Sequence, residues 1–200
     1  ACYTGAGAPN RAGAAGCEST GWGWGTVAVD LDHDTLVDLV AVTQSGRQWA
    51  FRNTGISGGI PHFTDVTNAS GFTTNISGRG LSNLDLDNDG DQDLVIFPRS
   101  GPLTVFRSEL DTSQGDANWI RVMLDNAGDP AVAPNGVGSV IKLTIDGVTQ
   151  MGRIDAGSNY LSQSELSAHF GLARATSIDE LVVEWGTGHV TTHTDVPANQ

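Results

Sequence analysis

Residues Asp85-Leu86-Asp87-Asn88-Asp89-Gly90-Asp91-Gln92-Asp93 place five carboxylates on alternate positions. Like charges this close repel one another by Coulomb's law, so a chain that keeps them together can use them to hold a cation. An all-oxygen set selects a hard ion, and carboxylates with backbone carbonyls at loose spacing suit Ca²⁺ better than Mg²⁺. The expected ligands are Asp85, Asp87, Asp89 and Asp93 with the carbonyl of Asp91, and Gly90 supplies the positive φ that curls the loop. The stretch is not an EF-hand: the twelfth residue from Asp85 is Ile96, so the bidentate Glu of that motif is missing.

The pattern occurs twice. Asp30-Leu31-Asp32-His33-Asp34-Thr35-Leu36-Val37-Asp38 lies 55 residues earlier and has carboxylates at the first, third, fifth and ninth places. The expected ligands there are Asp30, Asp32, Asp34 and Asp38 with the carbonyl of Leu36. Thr35 stands where the second copy has Gly90, and a β-branched residue at positive φ is costly. The first site is therefore expected to bind more weakly, or to close with a different turn. An internal repeat of this length points to a repeat architecture.

The elements that must position these loops read as strands. Thr26-Val27-Ala28-Val29 alternates into the first loop, and Val37 to Val42 leaves it. Gln48–Phe51 and His62–Val66 are further short strands, and Gly78–Phe97 repeats the strand–loop–strand unit before Leu103–Phe106. From Trp119 the character changes. Trp119–Leu124 and Gly136–Ile145 are strands, the latter turned by Asp146-Gly147 into Val148–Ile154, a hairpin signal. Leu181–Trp185 and Val190–Thr194 complete the set. Ser162 to Phe170 is expected to form a short helical turn, with Ser162 and Glu165 as its capping box.

The fold class is all-β: two calcium-loop repeats over 21–116, followed by a small β-sandwich over 117–200. Residues 1–20 form an Ala/Gly-rich arm that needs a bridge or a neighbour to order it. Cys2 and Cys17, the two cysteines, suit a disulfide that closes a short loop.

Charge narrows the function. With 23 acidic and 10 basic residues the net charge is -13, which argues against nucleic acid or anionic lipid as a partner. No run of 18 apolar residues could span a membrane. The chain opens on Ala1 without a signal peptide, as a processed exported protein or an excised fragment would. Calcium at millimolar levels and an oxidising compartment both point outside the cell. Asn68 and Asn75 head sequons, candidate glycan sites in a eukaryotic secreted protein. Trp22, Trp24, Trp49 and Tyr160 are candidate sugar contacts, although aromatic residues between glycines more often pack under a neighbouring backbone.

The paired Asp loops with their strand flanks resemble the FG-GAP/VCBS repeat of propeller proteins. Asn135-Gly136-Val137-Gly138-Ser139-Val140, Gly157 to Glu165, His169-Phe170-Gly171-Leu172, Val183-Glu184-Trp185-Gly186 and Ala198-Asn199-Gln200 resemble the ASPIC/UnbV domain that follows such repeats. The resemblance implies an extracellular, calcium-stabilised β-protein used in adhesion or matrix structure, without catalytic activity. Two propeller-type repeats cannot close a ring and would leave strand edges open. The expected function is a secreted structural or adhesive subunit holding two Ca²⁺, with other copies of itself as head-to-tail partners in a fibre. The alternatives are a carbohydrate-binding module cut from a larger secreted protein, with glycans as its partners, and a fragment of a secreted hydrolase.

Overall fold

The computed structural model describes residues 11–17 and 20–200. They form antiparallel sheets, apart from one helical turn, Arg11–Ala14, and one 3-10 turn, Pro134–Gly136. Strands β1 (Gly23–Val29), β2 (Asp38–Thr43), β3 (Trp49–Ser57) and β4 (Ile60–Asp65) make one meander. A second is made by β5 (Gly78–Leu84), β6 (Asp93–Pro98) and β7 (Thr104–Phe106).

Alternation explains why these segments fold as half-buried strands. Val27 and Val29 of β1 point inward while Thr26 and Ala28 are exposed, and Val40 and Val42 of β2 are fully buried. Val27, Val29, Val40 and Val42 meet Leu81, Leu94 and Ile96 of the second meander in one core. The two repeats are thereby packed face to face, each fully buried aliphatic side chain contributing about 1.5–3 kcal/mol.

The described part of the N-terminal arm docks within the chain. Ala15 and Cys17 pack on Phe51 beside Leu39, Trp49, Ile60 and Phe63, and the Phe63 N–H donates to the Ala15 carbonyl at 2.8 Å. Cys17 is buried; Cys2, its expected partner, lies outside the described residues.

The remaining strands are β8 (Asn118–Met123), β9 (Val140–Ile145), β10 (Val148–Arg153), β11 (Ser167–Ala173), β12 (Ser177–Glu184) and β13 (Val190–Pro197). They form a four-stranded sheet in the order β10-β9-β12-β13 and a two-stranded sheet, β11-β8. Ile120, Phe170 and Leu172 from the small sheet share a core with Ile141, Leu143, Leu181 and Val183 from the large one. The helical turn expected at Ser162–Phe170 is absent. Its first half is irregular and its second half is β11, because the Ser162 and Ser164 hydroxyls bond to β5 rather than to a helix end. The sheet edges are also less open than expected, since this same segment covers the free side of β5.

Candidate metal centres

Each Asp loop joins the first two strands of its meander, and the first and ninth acids frame it. Asp30 accepts from the Asp34 N–H (3.1 Å) and the Thr35 N–H (2.8 Å). Asp38 accepts from the Leu31 N–H (3.0 Å) and the Asn53 N–H (2.7 Å). In the second loop Asp85 accepts from the Gly90 N–H (3.2 Å), and Asp93 from the Leu86 and Ser108 N–H groups (both 2.8 Å). These bonds fix the loop backbone before any ion is considered.

Oxygens of Asp30, Asp32 and Asp38 converge within 4.8 Å of one another, as do those of Asp85, Asp87 and Asp89. One Asp32 oxygen and one Asp85 oxygen are buried with no hydrogen-bond partner. A buried, unpaired carboxylate oxygen is costly, and a hard divalent cation among such oxygens removes that cost. The donor set therefore fits Ca²⁺. Asp34 and Asp93, both expected as ligands, fall outside these two trios; Asp34 accepts from the Leu36 N–H (2.9 Å), and both Asp93 oxygens hold backbone, as both Asp38 oxygens do inside the first trio. Asp91 is buried, with one oxygen accepting from the Leu110 N–H at 2.9 Å and the other unpartnered.

Crowding is visible in the acid–base chemistry. Burial, then neighbouring aspartates, push the Asp30 carboxyl up to about 7, and burial pushes Asp38 up to about 6. Burial and the Asp34 charge raise Asp32, and burial raises Asp91. Without a metal, the first loop keeps protons that ordinary aspartates would have released.

Thr35 occupies positive φ (78°), as Gly90 does (98°). The first loop thus closes with the same turn as the second, and the alternative turn expected from the Thr is not adopted. Gly90 has a further reason to be glycine, because a Cβ there would overlap the Trp119 ring.

Several residues of the site were not singled out from the sequence. Arg52 pairs with Asp32 (2.6 Å) and Asp34 (3.3 Å), and Arg107 pairs with Asp87 (3.0 Å). The two arginines are themselves 55 residues apart, in Phe51-Arg52-Asn53 and Phe106-Arg107-Ser108, a recurrence that could have identified them.

The C-terminal strands sit on both loops. Arg121 of β8 reaches Asp85 (3.2 Å) and Asn88 (2.9 Å). His169 of β11 bonds the Gly90 carbonyl at 2.8 Å, stacks near Trp119, and lies 4.9 Å between ring centroids from His33 of the first loop. His33 in turn bonds the Ala117 carbonyl at 2.9 Å and accepts at its own carbonyl from the Ala173 N–H. Gly171 passes against Asp30 and the His33 backbone so closely that no side chain fits there. Burial pushes both imidazoles down, His169 to about 3.

The four candidate sugar contacts sit in different local settings. Trp24 packs on Tyr160 (4.9 Å between centroids) under Arg79. Trp49 lies between Phe51 and Arg47, and Trp22 is 76% exposed. Asn68 and Asn75 are exposed. No helix among the described residues is long and apolar enough to cross a membrane.

Comparison with known proteins follows the same division. Residues 30–96 match the FG-GAP-like repeat family, and residues 129–200 match the ASPIC and UnbV family. Cartilage acidic protein 1 of Mus musculus is 29% identical over 171 residues, and that of Homo sapiens 28% identical over 172. Each match covers 81% of this chain but only 25% and 24% of those proteins, so the chain spans about a quarter of the length of the curated relatives it matches.

Proposed function

We propose, from the matches to the FG-GAP-like repeat family over 30–96 and the ASPIC and UnbV family over 129–200, that the chain is a calcium-binding structural or adhesive β-protein of the extracellular space. Asp30, Asp32 and Asp38 hold one Ca²⁺, and Asp85, Asp87 and Asp89 hold a second. Asp34, Asp91, Asp93 and the Leu36 carbonyl complete the shells. The observation that carries this reading is the buried carboxylate oxygen left without a partner in each loop. In the first loop a divalent ion supplies the positive charge that Arg52, about half exposed, cannot supply at such depth; in the second it serves the Asp85 oxygen that Arg121 does not reach.

The role is non-catalytic: carboxylates tied to calcium stay ionised and make poor general acids. A place in the extracellular matrix agrees with the name of the relatives, with millimolar calcium outside cells, and with a Cys2–Cys17 disulfide. Glycans at Asn68 and Asn75 would stand clear of the core. Copies would join head to tail through strand edges left open at the ends of the sheets.

Calorimetric titration of the chelator-treated protein with CaCl₂ tests the reading. Two binding events are expected, the tighter at the Asp85–Asp93 loop, with a rise in melting temperature. No heat and an unchanged melting temperature would refute it. Electron microscopy with and without chelator tests the head-to-tail assembly separately.

A further inference from the structure

The 55-residue repeat governs strand register as well as the loops. Leu81, Ser82 and Asn83 of β5 face Ile96, Val95 and Leu94 of β6. Their counterparts Thr26, Val27 and Ala28 of β1 face Ala41, Val40 and Leu39 of β2. The two strands therefore turn corresponding backbone groups away from their sheets.

In β5 those groups are occupied. The Leu81 N–H donates to Ser162 Oγ (2.9 Å), whose hydroxyl also lies 2.9 Å from the Leu81 carbonyl. The Asn83 N–H donates to Ser164 Oγ (3.1 Å), and the Asn83 carbonyl accepts from the Glu165 N–H (3.1 Å). Ser82 Oγ donates to the Gln163 carbonyl at 2.8 Å. Residues 162–165 thus form a strip along the free edge of β5, held by backbone and by two serine hydroxyls at alternate positions.

In β1 the same edge is bare. Thr26 and Ala28 are exposed, and among the described residues no hydrogen bond reaches their outward N–H and C=O groups. Unpaired strand groups of this kind template the addition of another strand. The edge opens on a cleft of about 1110 Å³ that also reaches Ser164 and Glu165, the end of the strip on β5. β10 also lines the cleft, and Val148, which shares the face of Gln150 and Gly152, is 69% exposed there. The cleft therefore gives access to the outward backbone groups of β1. An extended chain, with its own N–H and C=O groups directed to the side, matches such an edge.

We propose that the Thr26–Ala28 edge is a docking site for an extended peptide segment of a partner protein that carries small hydroxyl side chains at alternate positions, as Ser162 and Ser164 do on β5. The segment adds to β1 as residues 162–165 add to β5. This docking does not depend on the calcium reading.

The probe is a synthetic peptide with the sequence of residues 161–166, Leu-Ser-Gln-Ser-Glu-Leu, titrated into the full chain in calcium-containing buffer. Fluorescence anisotropy of a labelled form reads binding, and amide exchange by NMR locates it. Saturable binding is expected, with exchange at Thr26 and Ala28 slowed at least tenfold. The same peptide with both serines replaced by alanine should bind at least tenfold more weakly, a comparison that leaves the protein unaltered. Thr26→Pro, which removes the donor, should weaken binding to the same degree. Absence of binding at millimolar peptide overturns the proposal. So does protection that falls on Leu81 and Asn83 instead, or equal binding of the alanine peptide.

Discussion

The two Asp loops share spacing, strand register and a trailing arginine, yet they solve the same electrostatic problem differently. The first is the more enclosed: burial leaves Asp30 and Asp38 protonated up to about 7 and about 6. In the second, Asp87 and Asp89 are exposed, and Arg121 from β8 brings a positive charge to the buried Asp85. The first accepts a threonine at φ 78° where the second has glycine at 98°. The difference teaches that the first and ninth acids, which hold the backbone, define the loop. Three of these framing acids, Asp30, Asp38 and Asp85, also offer oxygens to the converging trios with Asp32, Asp87 and Asp89, and the turn residue adjusts how much strain the loop carries.

The largest test of this contrast is Gly90→Ala. The added methyl meets Trp119 at a positive φ, and overpacking with backbone strain should cost about 2–4 kcal/mol, read by urea unfolding. A cost below that of an ordinary surface substitution would show that the Trp119 contact yields freely. Next is Asp89→Ala, which removes a ligand and leaves the remaining acids crowded. Its melting temperature in calcium should fall far more than that of Asp116→Ala, outside the loops. Equal, small shifts would reduce the loop to a solvated acidic turn.

Proton competition should separate the loops by pH. In the calcium-free state the raised Asp30 carboxyl contributes stability that is present below its ordinary value of 3.8 and is lost as pH rises through about 7. Calcium must displace that proton, so affinity at the first loop should fall about tenfold between pH 7 and 6. Calorimetry in buffers of different ionisation enthalpy reads the released protons. His169 acts in the opposite sense: its lowered value contributes stability present above 6.5 and lost as pH falls toward about 3. A smaller effect is expected of Thr35→Gly, which should relieve about 1 kcal/mol of strain and tighten the first site. Arg52→Ala and Arg107→Ala should matter least. Each removes a half-exposed arginine with two ion pairs, each worth under about 1 kcal/mol, and thermal melts of the two variants would show whether the repeats use them equally.

The loops and most strands were legible in the sequence because alternating Asp and alternating Val impose period-two patterns that few other structures satisfy. β11 was not. Ser167-Ala168-His169-Phe170-Gly171-Leu172-Ala173 has a histidine and a glycine where a strand signal wants apolar or β-branched residues. Both are present for contacts made far away in the chain: His169 for Gly90 and Gly171 for Asp30. Ser162 reads as a helix cap with Glu165 for a similar reason, since a capping pattern is local, whereas the partners of Ser162 and Ser164 lie 81 residues earlier. Arg52 and Arg107 were legible in principle, by extending the repeat past its acidic part.

The seam between β8–β11 and the two loops has a practical consequence. His33 and Gly90 belong to the repeats, whereas the groups they touch belong to the C-terminal strands. Cutting the chain near residue 116 would strip the lining from both ion-holding turns at once. What looks like a string of separable parts when spelled out is, once folded, a single block with its hinge line soldered shut.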